Sequence, residues 1–539
     1  MTEPGPARVP RRMLVTAAAA AVALALTACT GDGSGDGSSD ASASGPADLT
    51  AALLRIQSQP QYHGTDWGYI AIDQNTGEVL AGRNADALFD AGSTMKSFAV
   101  AAALDAYGSE HTFDTPVHRI GEISGGVLTG DLVLVGSGDL SFGLRQEPDG
   151  SLSYESMPAL DHSYATIGIP GAVMPSGDPL AVLDEFAAAV RGAGITAVAG
   201  DVIVDDRLFE AIAWPDGLVS PIWVNENLID IEVSPGVAAG DPVAVQWRPQ
   251  VAPYSVESQV ETIAADGDPQ LSVTETSPGH LVVSGALPAG SAPMLTVKEI
   301  ADPSAFARTA FIEALQRAGV TVAAPATGPN PAAELPDASA YSDTTRIAEH
   351  RSASLGAYVE LIMKVSYNRG ADLMTCLAAV ATGSTNCDDG IVAEVDNLTE
   401  LGVSETAVFP FDGAGSDDHS RVSPRALATF YRSVAGTPYA AAYRDALPIL
   451  GVDGTLGNVL SDSPVAGAAL LKTGNRAVGT PAGQMILLGN SLAGYVEGAS
   501  GRRFTVMIAM GNMPFRTMDE FLSVTDDQAA MVAAMRDAF

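Results

Sequence analysis

The chain has 539 residues, a formal net charge of −36 at pH 7, 47% hydrophobic residues and 17% charged residues. This composition excludes an intrinsically disordered chain, because disorder requires few apolar residues and a high density of charge. The excess of acidic groups argues against nucleic-acid binding, which requires clustered Lys and Arg to neutralise phosphates.

The N-terminus has the layout of an export signal. Arg11 and Arg12 precede an apolar stretch that is too short to span a bilayer and that ends just before Cys29. The sequence LTAC resembles a bacterial lipobox, which implies that Cys29 is lipidated; a plain signal peptide is the alternative, and the export pathway is left open. We expect a lipoprotein signal peptide over 1–29, a disordered Gly/Ser/Asp linker over 30–47, and a lipid-anchored protein at the outer face of the cytoplasmic membrane.

The periodicity of the apolar residues predicts a mixed α/β chain. WGYIAIDQNTGEVLAG alternates around an Asn-Thr-Gly turn and predicts a β-hairpin, and FDAGSTMKSFAVAAALDAYG predicts a turn followed by a helix. The region from Leu128 to Val320 is rich in strands and ends in an amphipathic helix. A helical block begins near Ser354, and strands around Lys472 and a final helix follow. We therefore expect one discontinuous domain with a large, mainly β insertion.

Lysine is rare, and Lys96 stands three residues after Ser93 in AGSTMKSF. Residues i and i+3 share one face of a helix, so the hydroxyl and the amine can meet. Serine needs a base within hydrogen-bond distance to act as a nucleophile, and a neutral lysine can serve as that base. A surface lysine near a helix N-terminus is the alternative.

Two further short motifs follow. Ser366 and Asn368 give the pattern S-x-N in MKVSYNRG, and Lys472, Thr473 and Gly474 give K-T-G after an apolar run. Each pattern alone is weak, and Ser366 and Asn368 could simply cap a helix. The three motifs together, in this order, form a strong signal for one active site.

This set resembles the S-x-x-K, S-x-N and K-T-G motifs of penicillin-binding proteins and serine β-lactamases. The long interval before S-x-N is similar to the class C low-molecular-mass group, the D-alanyl-D-alanine carboxypeptidase/endopeptidase family. The resemblance implies an α/β (α+β) fold with helices on an antiparallel sheet and inserted, mainly β domains. It implies a catalytic domain over 48–115 and 345–539, inserted domain II over 116–200 and 300–344, and inserted domain III over 201–299.

The resemblance also implies roles for the first two motifs. Ser93 would attack the carbonyl between two D-alanines, with Lys96 as the base. Ser366 would relay the proton to the leaving amine, and Asn368 would hold the backbone amide of the substrate. The implied partners are peptidoglycan stem peptides, with β-lactams as inhibitors and without a cofactor.

The third motif is implied to bind the substrate. Lys472 would keep the site electropositive, Thr473 would help to bind the terminal carboxylate, and Gly474 would belong to the same substrate-binding segment. The backbone N–H groups of Ser93 and Asn475 would form an oxyanion hole. We expect Lys472 on a buried central strand facing the cleft. Its charge, together with burial, should lower the pKa of Lys96.

Some residues depart from the family pattern. Asn475 follows K-T-G where the family usually has Thr or Ser, and Asp417 and Asp418 make the Asp-Gly-x-Gly loop acidic, which predicts repulsion of an anionic substrate. We assign no chemistry to Asp412 and Gly413, which read as a turn. Two other functions stay open: a β-lactamase-like hydrolase, and a lipoprotein that binds peptidoglycan or β-lactams with weak catalysis.

The remaining cysteines, Cys376 and Cys387, form an even pair. In an oxidising compartment they predict a disulfide, with two independent buried thiols as the alternative. The sequence has no C-x-x-C pair and no H-E-x-x-H motif, so it gives no support for a metal site.

Overall fold

The computed structural model describes residues 45–167 and 170–539. The predicted signal peptide, Cys29 and nearly all of the predicted linker lie outside the described residues. Among the described residues no helix combines the length and the apolar character that crossing a membrane requires.

The helices of the described residues fall into three sets along the sequence: two near its start, two in the insertion, and the rest in the C-terminal part. Their bounds are α1 Ala47–Gln57, α2 Lys96–Tyr107, α3 Ala181–Gly192, α4 Pro303–Arg317, α5 Leu355–Val365, α6 Asn368–Ala381, α7 Asp388–Glu400, α8 Pro424–Val434, α9 Ala440–Asp445 and α10 Met518–Ala538.

The strands include long pairs and several two-residue pieces. Their bounds are β1 Asp66–Asp73, β2 Val79–Arg83, β3 Phe89–Asp90, β4 Thr112–Ser124, β5 Val127–Val135, β6 Leu160–Asp161, β7 Ala172–Val173, β8 Ala197–Val198, β9 Val202–Asp205, β10 Ile212–Trp214, β11 Gly217–Val219, β12 Leu228–Ser234, β13 Ala244–Arg248, β14 Ser255–Ile263, β15 Gln270–Ser277, β16 His280–Pro288, β17 Met294–Glu299, β18 Thr321–Val322, β19 Arg346–Ser354, β20 Val408–Phe409, β21 Arg421–Val422, β22 Ala469–Gly479, β23 Met485–Glu497 and β24 Arg503–Phe515.

A five-stranded antiparallel sheet organises the two ends of the chain, in the order β2-β1-β24-β23-β22. Successive side chains of a strand point to opposite faces, so β24 supplies two cores. Ile508 and Met510 join the apolar cluster that contains residues of α1 and α10. Met507 and Ala509 join the cluster that contains residues of α2 and α8. Helices therefore cover both faces of an antiparallel sheet, and the predicted fold class is confirmed.

The K-T-G strand is at the edge of this sheet, so the prediction of a central strand is wrong. Within the described residues, β22 pairs with one strand, β23, and beyond that makes only an isolated bridge from Leu470 to Ile449. Lys472 is nevertheless fully buried, because the 3₁₀ turn Gly92–Met95 packs directly against β22. An apolar run in the sequence indicates that a strand is buried, but it does not show whether neighbouring strands or loops bury it.

The insertion is built around one six-stranded sheet and two three-stranded sheets with an apolar core of their own. The sheet orders are β18-β8-β5-β4-β19 with β9 paired to β5, β13-β12-β17, and β14-β16-β15. Helices α3 and α4 pack together, and their apolar side chains, such as Phe186 and Phe311, lie in the same cluster as Val117 and Ile231. The mainly β character agrees with the sequence pattern, and the exact domain boundaries stay a prediction.

A disulfide joins Cys376 of α6 to Cys387, which directly precedes α7. Both cysteines are buried. The bond ties together the two helices that follow the S-x-N motif.

Candidate active site

Ser93 lies in the 3₁₀ turn Gly92–Met95, and Lys96 is the first residue of α2. The predicted i, i+3 contact therefore forms at a junction of two helix types instead of within one α-helix. Lys96 Nζ donates a hydrogen bond to Ser93 Oγ over 2.6 Å. Ser93 is partly exposed while Lys96 is completely buried, so the hydroxyl is accessible and its base is shielded from water.

The amine of Lys96 has two further acceptors. It donates to Asn368 Oδ1 over 2.6 Å and to the carbonyl oxygen of Ala414 over 3.1 Å. Burial lowers the pKa of Lys96 to about 8, although the carboxylates of Asp216, Asp372 and Asp412 oppose this shift.

We expected burial and the charge of Lys472 together to lower the pKa of Lys96. Burial does lower it, against the acidic neighbours, but the charge of Lys472 is not among the causes. The effect runs in the other direction: burial and the charge of Lys96 hold the pKa of Lys472 well below its ordinary value. A site with two buried amines therefore favours a state with less than two positive charges.

The S-x-N motif lies at the junction between α5 and α6. Ser366 has φ 62° and ψ 40°, a left-handed conformation that ends α5, and Asn368 begins α6. Lys472 Nζ donates to Ser366 Oγ over 2.8 Å. The side chains of the three motifs therefore meet in one place, as the sequence predicted, while their individual roles stay predictions.

The Asp-Gly-x-Gly loop, to which we assigned no chemistry, packs against the base. Asp412 is buried, and its carboxylate accepts hydrogen bonds from the backbone N–H groups of Gly415 and Asp417. This brings the carbonyl of Ala414 to Lys96. The loop is a turn, as the pattern indicated, but one that supplies an acceptor to the amine of Lys96.

The insertion supplies two contacts that sequence reasoning missed. Asp216, in the turn between β10 and β11, accepts a hydrogen bond of 2.7 Å from Asn368 Nδ2. Tyr164 donates its hydroxyl hydrogen to the carbonyl oxygen of Ser366. The only local signal for Asp216 was a Trp-Pro-Asp-Gly turn, and a turn does not reveal which distant segment it will reach.

The K-T-G strand forms one wall of the site. Thr473 Oγ1 lies 3.0 Å from Thr455 Oγ1. Gly474 packs so tightly that a Cβ there would lie 2.5 Å from the carbonyl oxygen of Ala91. Asn475 is exposed, and its side-chain oxygen accepts a hydrogen bond from Asn490 Nδ2. Glycine is thus required for the close approach of β22 to the segment that carries the nucleophile.

A cleft of about 1300 Å³ opens over these groups. Its walls come from all three motifs, from the insertion and from the start of α10. The lining residues include Ser93, Tyr164, Asp216, Ser366, Asn368, Thr455, Thr473, Asn475, Arg476, Met518 and Phe521. Of the two acidic residues that follow the Asp-Gly-x-Gly loop, Asp418 forms an ion pair with Arg476, and Asp417 contacts His419. The Arg476 pair offsets part of the repulsion predicted for an anionic substrate.

A buried ion network connects the insertion to α6. Asp161, His162 and Glu226 offer ligand atoms within 4.8 Å of one another. Arg145 forms ion pairs with both Asp161 and Glu226, so its guanidinium supplies the positive charge that a metal ion would otherwise bring to these carboxylates. Arg369, the neighbour of Asn368, donates to the backbone carbonyl oxygen of Glu226 over 2.8 Å.

A protein-family model described as the D-Ala-D-Ala carboxypeptidase 3 (S13) family matches residues 49–533. The chain belongs to this family. It is therefore a serine-type peptidase, and the resemblance drawn from the motifs is confirmed.

Two relatives in the family agree with this assignment. The chain is 27% identical to the D-alanyl-D-alanine carboxypeptidase of Actinomadura sp. strain R39, over 83% of this chain and 78% of that protein. It is 23% identical to the D-alanyl-D-alanine carboxypeptidase DacB of Haemophilus influenzae, over 76% of this chain and 80% of that protein. The fold matches the crystal structure of penicillin binding protein 4 from H. influenzae with a TM-score of 0.64 and 19% identity, over 89% of this chain and 98% of that chain.

Proposed function

We propose that the chain removes the terminal D-alanine from peptidoglycan stem peptides, with Ser93 as the nucleophile and Lys96 as its general base. The observation that carries this proposal is the 2.6 Å hydrogen bond between the buried amine of Lys96 and the accessible hydroxyl of Ser93. A base that is buried and near its deprotonation point is suited to take a proton from serine.

In the acylation step, Ser93 Oγ attacks the carbonyl carbon between the two D-alanines while its proton passes to Lys96 Nζ. The oxyanion forms beside the backbone N–H groups of Ser93 and Asn475. When the peptide C–N bond breaks, the proton that Lys96 took from Ser93 passes through Ser366 Oγ, which is hydrogen-bonded to Lys472, to the leaving amine of D-alanine, and Lys96 is neutral again. In deacylation, water attacks the ester carbonyl and gives a proton to Lys96, which passes it to Ser93 Oγ as the ester C–O bond breaks, so that Ser93 leaves as the free hydroxyl.

We also propose that the enzyme cleaves cross-links between stem peptides. The cleft extends from Ser93 to Met518 and Phe521 at the start of α10, well beyond the space that one alanine occupies. A leaving group that carries a second peptide would fit along this extension. Release of D-alanine and conversion of cross-linked dimers to monomers, measured on the same peptidoglycan fragments, test the two activities separately.

Penicillin labelling tests the nucleophile. Because a β-lactam carbonyl acylates a serine placed in this way, we expect a fluorescent penicillin to attach to Ser93. Substitution Ser93→Ala should abolish labelling and the release of D-alanine, whereas the exposed control Ser404→Ala should change neither. Intact-mass and peptide mass spectrometry locate the adduct.

The lifetime of the adduct separates the open functions. A labelled enzyme that persists for hours fits a peptidase, and loss of the label within seconds fits a β-lactamase-like hydrolase. Labelling without release of D-alanine fits a weakly catalytic binding lipoprotein. An adduct on a residue other than Ser93 contradicts the mechanism.

We further propose that the protein is exported and held at the outer face of the cytoplasmic membrane by a lipid on Cys29. The support is the arrangement of arginines, apolar stretch and LTAC sequence at the N-terminus. Metabolic labelling with a palmitate analogue should mark the wild-type chain, and Cys29→Ser should remove both the label and the membrane association. A labelled Cys29→Ser variant contradicts the anchor.

A further inference from the structure

The residue that follows K-T-G is already engaged in this chain. The side-chain oxygen of Asn475 is bonded to Asn490, and the guanidinium of the next residue, Arg476, is bonded to Asp418 and to the carbonyl oxygen of Ser416. The hydroxyl of Thr473 has a different neighbour, Thr455 Oγ1, at 3.0 Å. We propose that Thr455 is a substrate-binding residue that holds the terminal carboxylate of the peptide together with Thr473, an inference that rests on the proposed function.

The two hydroxyls present suitable chemistry for a carboxylate. A hydroxyl carries one donor hydrogen, so in the free enzyme one of the pair donates to the other and the second O–H is free to turn. A carboxylate accepts from both, and hydrogen bonds to a charged acceptor are stronger than those between neutral groups. Thr455 is partly exposed and lines the cleft beside Ser93, Ser366 and Thr473.

The turn that carries Thr455 is fixed by an ion pair between the buried Lys364 and the partly exposed Asp453. Lys364 Nζ donates to Asp453 Oδ2 over 2.6 Å and to the carbonyl oxygen of Leu447 over 2.9 Å. Gly454 packs so closely that a Cβ there would lie 2.6 Å from the carbonyl oxygen of Lys364. The turn that carries Thr455 is thus held between the end of α5 and β22, and its hydroxyl needs little ordering when a ligand binds.

The acid of this turn is already engaged. The carboxylate of Asp453 accepts from Lys364 Nζ over 2.6 Å and from the backbone N–H of Ile449 over 2.7 Å. A carboxylate between the two threonines would therefore meet no unpaired acid of this turn.

The test compares two peptides that end in D-Ala-D-Ala, one with a free terminal carboxylate and one with that carboxylate amidated. We expect Thr455→Val to lower kcat/KM on the free acid by about tenfold, through loss of a hydrogen bond to a charged group, and to leave the amide unchanged. Thr455→Ser should restore the activity on the free acid. The matched control, Thr399→Val on the exposed face of α7, should behave as wild type on both peptides.

An equal loss on both peptides, or no loss on the free acid, overturns the proposal, because a merely structural role would not distinguish the two. Binding of the same peptides to Ser93→Ala and to Ser93→Ala/Thr455→Val decides the matter without turnover. The second substitution should weaken binding of the free acid only. If the wild-type enzyme releases no D-alanine, the proposed function fails, and these dissociation constants still support or overturn the role of Thr455.

A crystal structure of the Ser93→Ala enzyme with the free-acid peptide covers the case in which Thr455→Val does not fold. A carboxylate oxygen within hydrogen-bond distance of Thr455 Oγ1 supports the proposal. A carboxylate bound by Asn475 or Arg476 instead overturns it.

Discussion

Lys96 has to lose its own proton before it can accept the proton of Ser93. Burial brings its pKa down to about 8, and the carboxylates of Asp216, Asp372 and Asp412 limit how far it falls. The ionisation of a single side chain thus depends on three acids from three different segments of the chain.

The pH dependence of the reaction follows from this balance. Since the neutral amine is the active form of the base, kcat/KM should rise with pH through an inflection near 8. Asp216→Asn removes one opposing carboxylate and keeps an acceptor for Asn368, so it should move the inflection to lower pH by about one unit. Stopped assays of D-alanine release, at closely spaced pH values across the range in which the lysine titrates, measure the shift.

The exposed control Asp396→Asn lies on α7 and should leave the inflection in place. A shift of Asp216→Asn to higher pH, or an unchanged profile, would contradict the assignment of Lys96 as the titrating base.

At the level of elements, one partly buried ion pair joins the end of α5 to the turn before β22. Lys364 is almost completely buried and bonds Asp453, whereas Lys298 on β17 is partly exposed and lies 3.9 Å from Glu275. Two of the four lysines of the chain therefore form ion pairs in opposite environments.

These two pairs predict different costs on mutation. Lys364→Met leaves Asp453 without its cation and should lower the free energy of unfolding by about 2 kcal/mol, because the acid is partly exposed and keeps its hydrogen bond from Ile449. The matched Lys298→Met should lower it by less than about 1 kcal/mol, since exposed pairs contribute little. Denaturant titration followed by circular dichroism compares them; equal losses would contradict the structural role of Lys364.

The sequence predicted the members of the site better than their surroundings. Ser93, Lys96 and Lys472 were identified because lysine is rare here and each motif is short and local. Thr455 and Asp216 were missed because their importance comes from tertiary contacts with Thr473 and Asn368, which local patterns do not encode. The edge position of β22 was missed for the same reason: its hydrophobicity reflects loops that cover it as well as strand neighbours.

At the scale of the whole molecule, the insertion and the peptidase core share one buried set of charges. His162 lies 2.9 Å from both Glu226 and Asp230 and is fully buried. Burial alone would lower the pKa of His162, but the two carboxylates outweigh burial and raise it to about 9. The imidazolium is therefore part of the folded structure at neutral pH.

This network predicts that the contribution of His162 to the free energy of unfolding falls as the pH becomes alkaline. A raised pKa in the folded state contributes stability that is complete below the unfolded value near 6.5 and is lost as pH rises through about 9. We expect His162 to contribute about 3 kcal/mol at pH 6 relative to pH 10. The difference in unfolding free energy between wild type and His162→Gln should therefore shrink over this range.

The comparison of wild type with His162→Gln is needed because the buried lysines change the stability with pH in the opposite direction. Their lowered pKa values make folding more favourable as pH rises toward the ordinary lysine value. Both proteins share that effect, so it cancels in the difference. A difference that stays constant from pH 6 to pH 10 would contradict the charged state of His162, since the shift invoked spans about 2.5 units above the ordinary histidine pKa.

Three closely packed glycines in the site leave no room for a side chain, whereas the residues around the opening of the cleft can be substituted more easily. A methyl group on Gly415 would collide with the backbone of Gly92, one on Gly92 would lie 2.8 Å from the nitrogen of Asn475, and one on Gly474 would press on Ala91. Any of these replacements would force apart the segments that carry Ser93 and Lys96. Selection or engineering toward new substrates therefore has to keep these three glycines. Altered selectivity is open instead to the side chains around the mouth, where Thr455 and Asn475 can be exchanged without moving the catalytic groups.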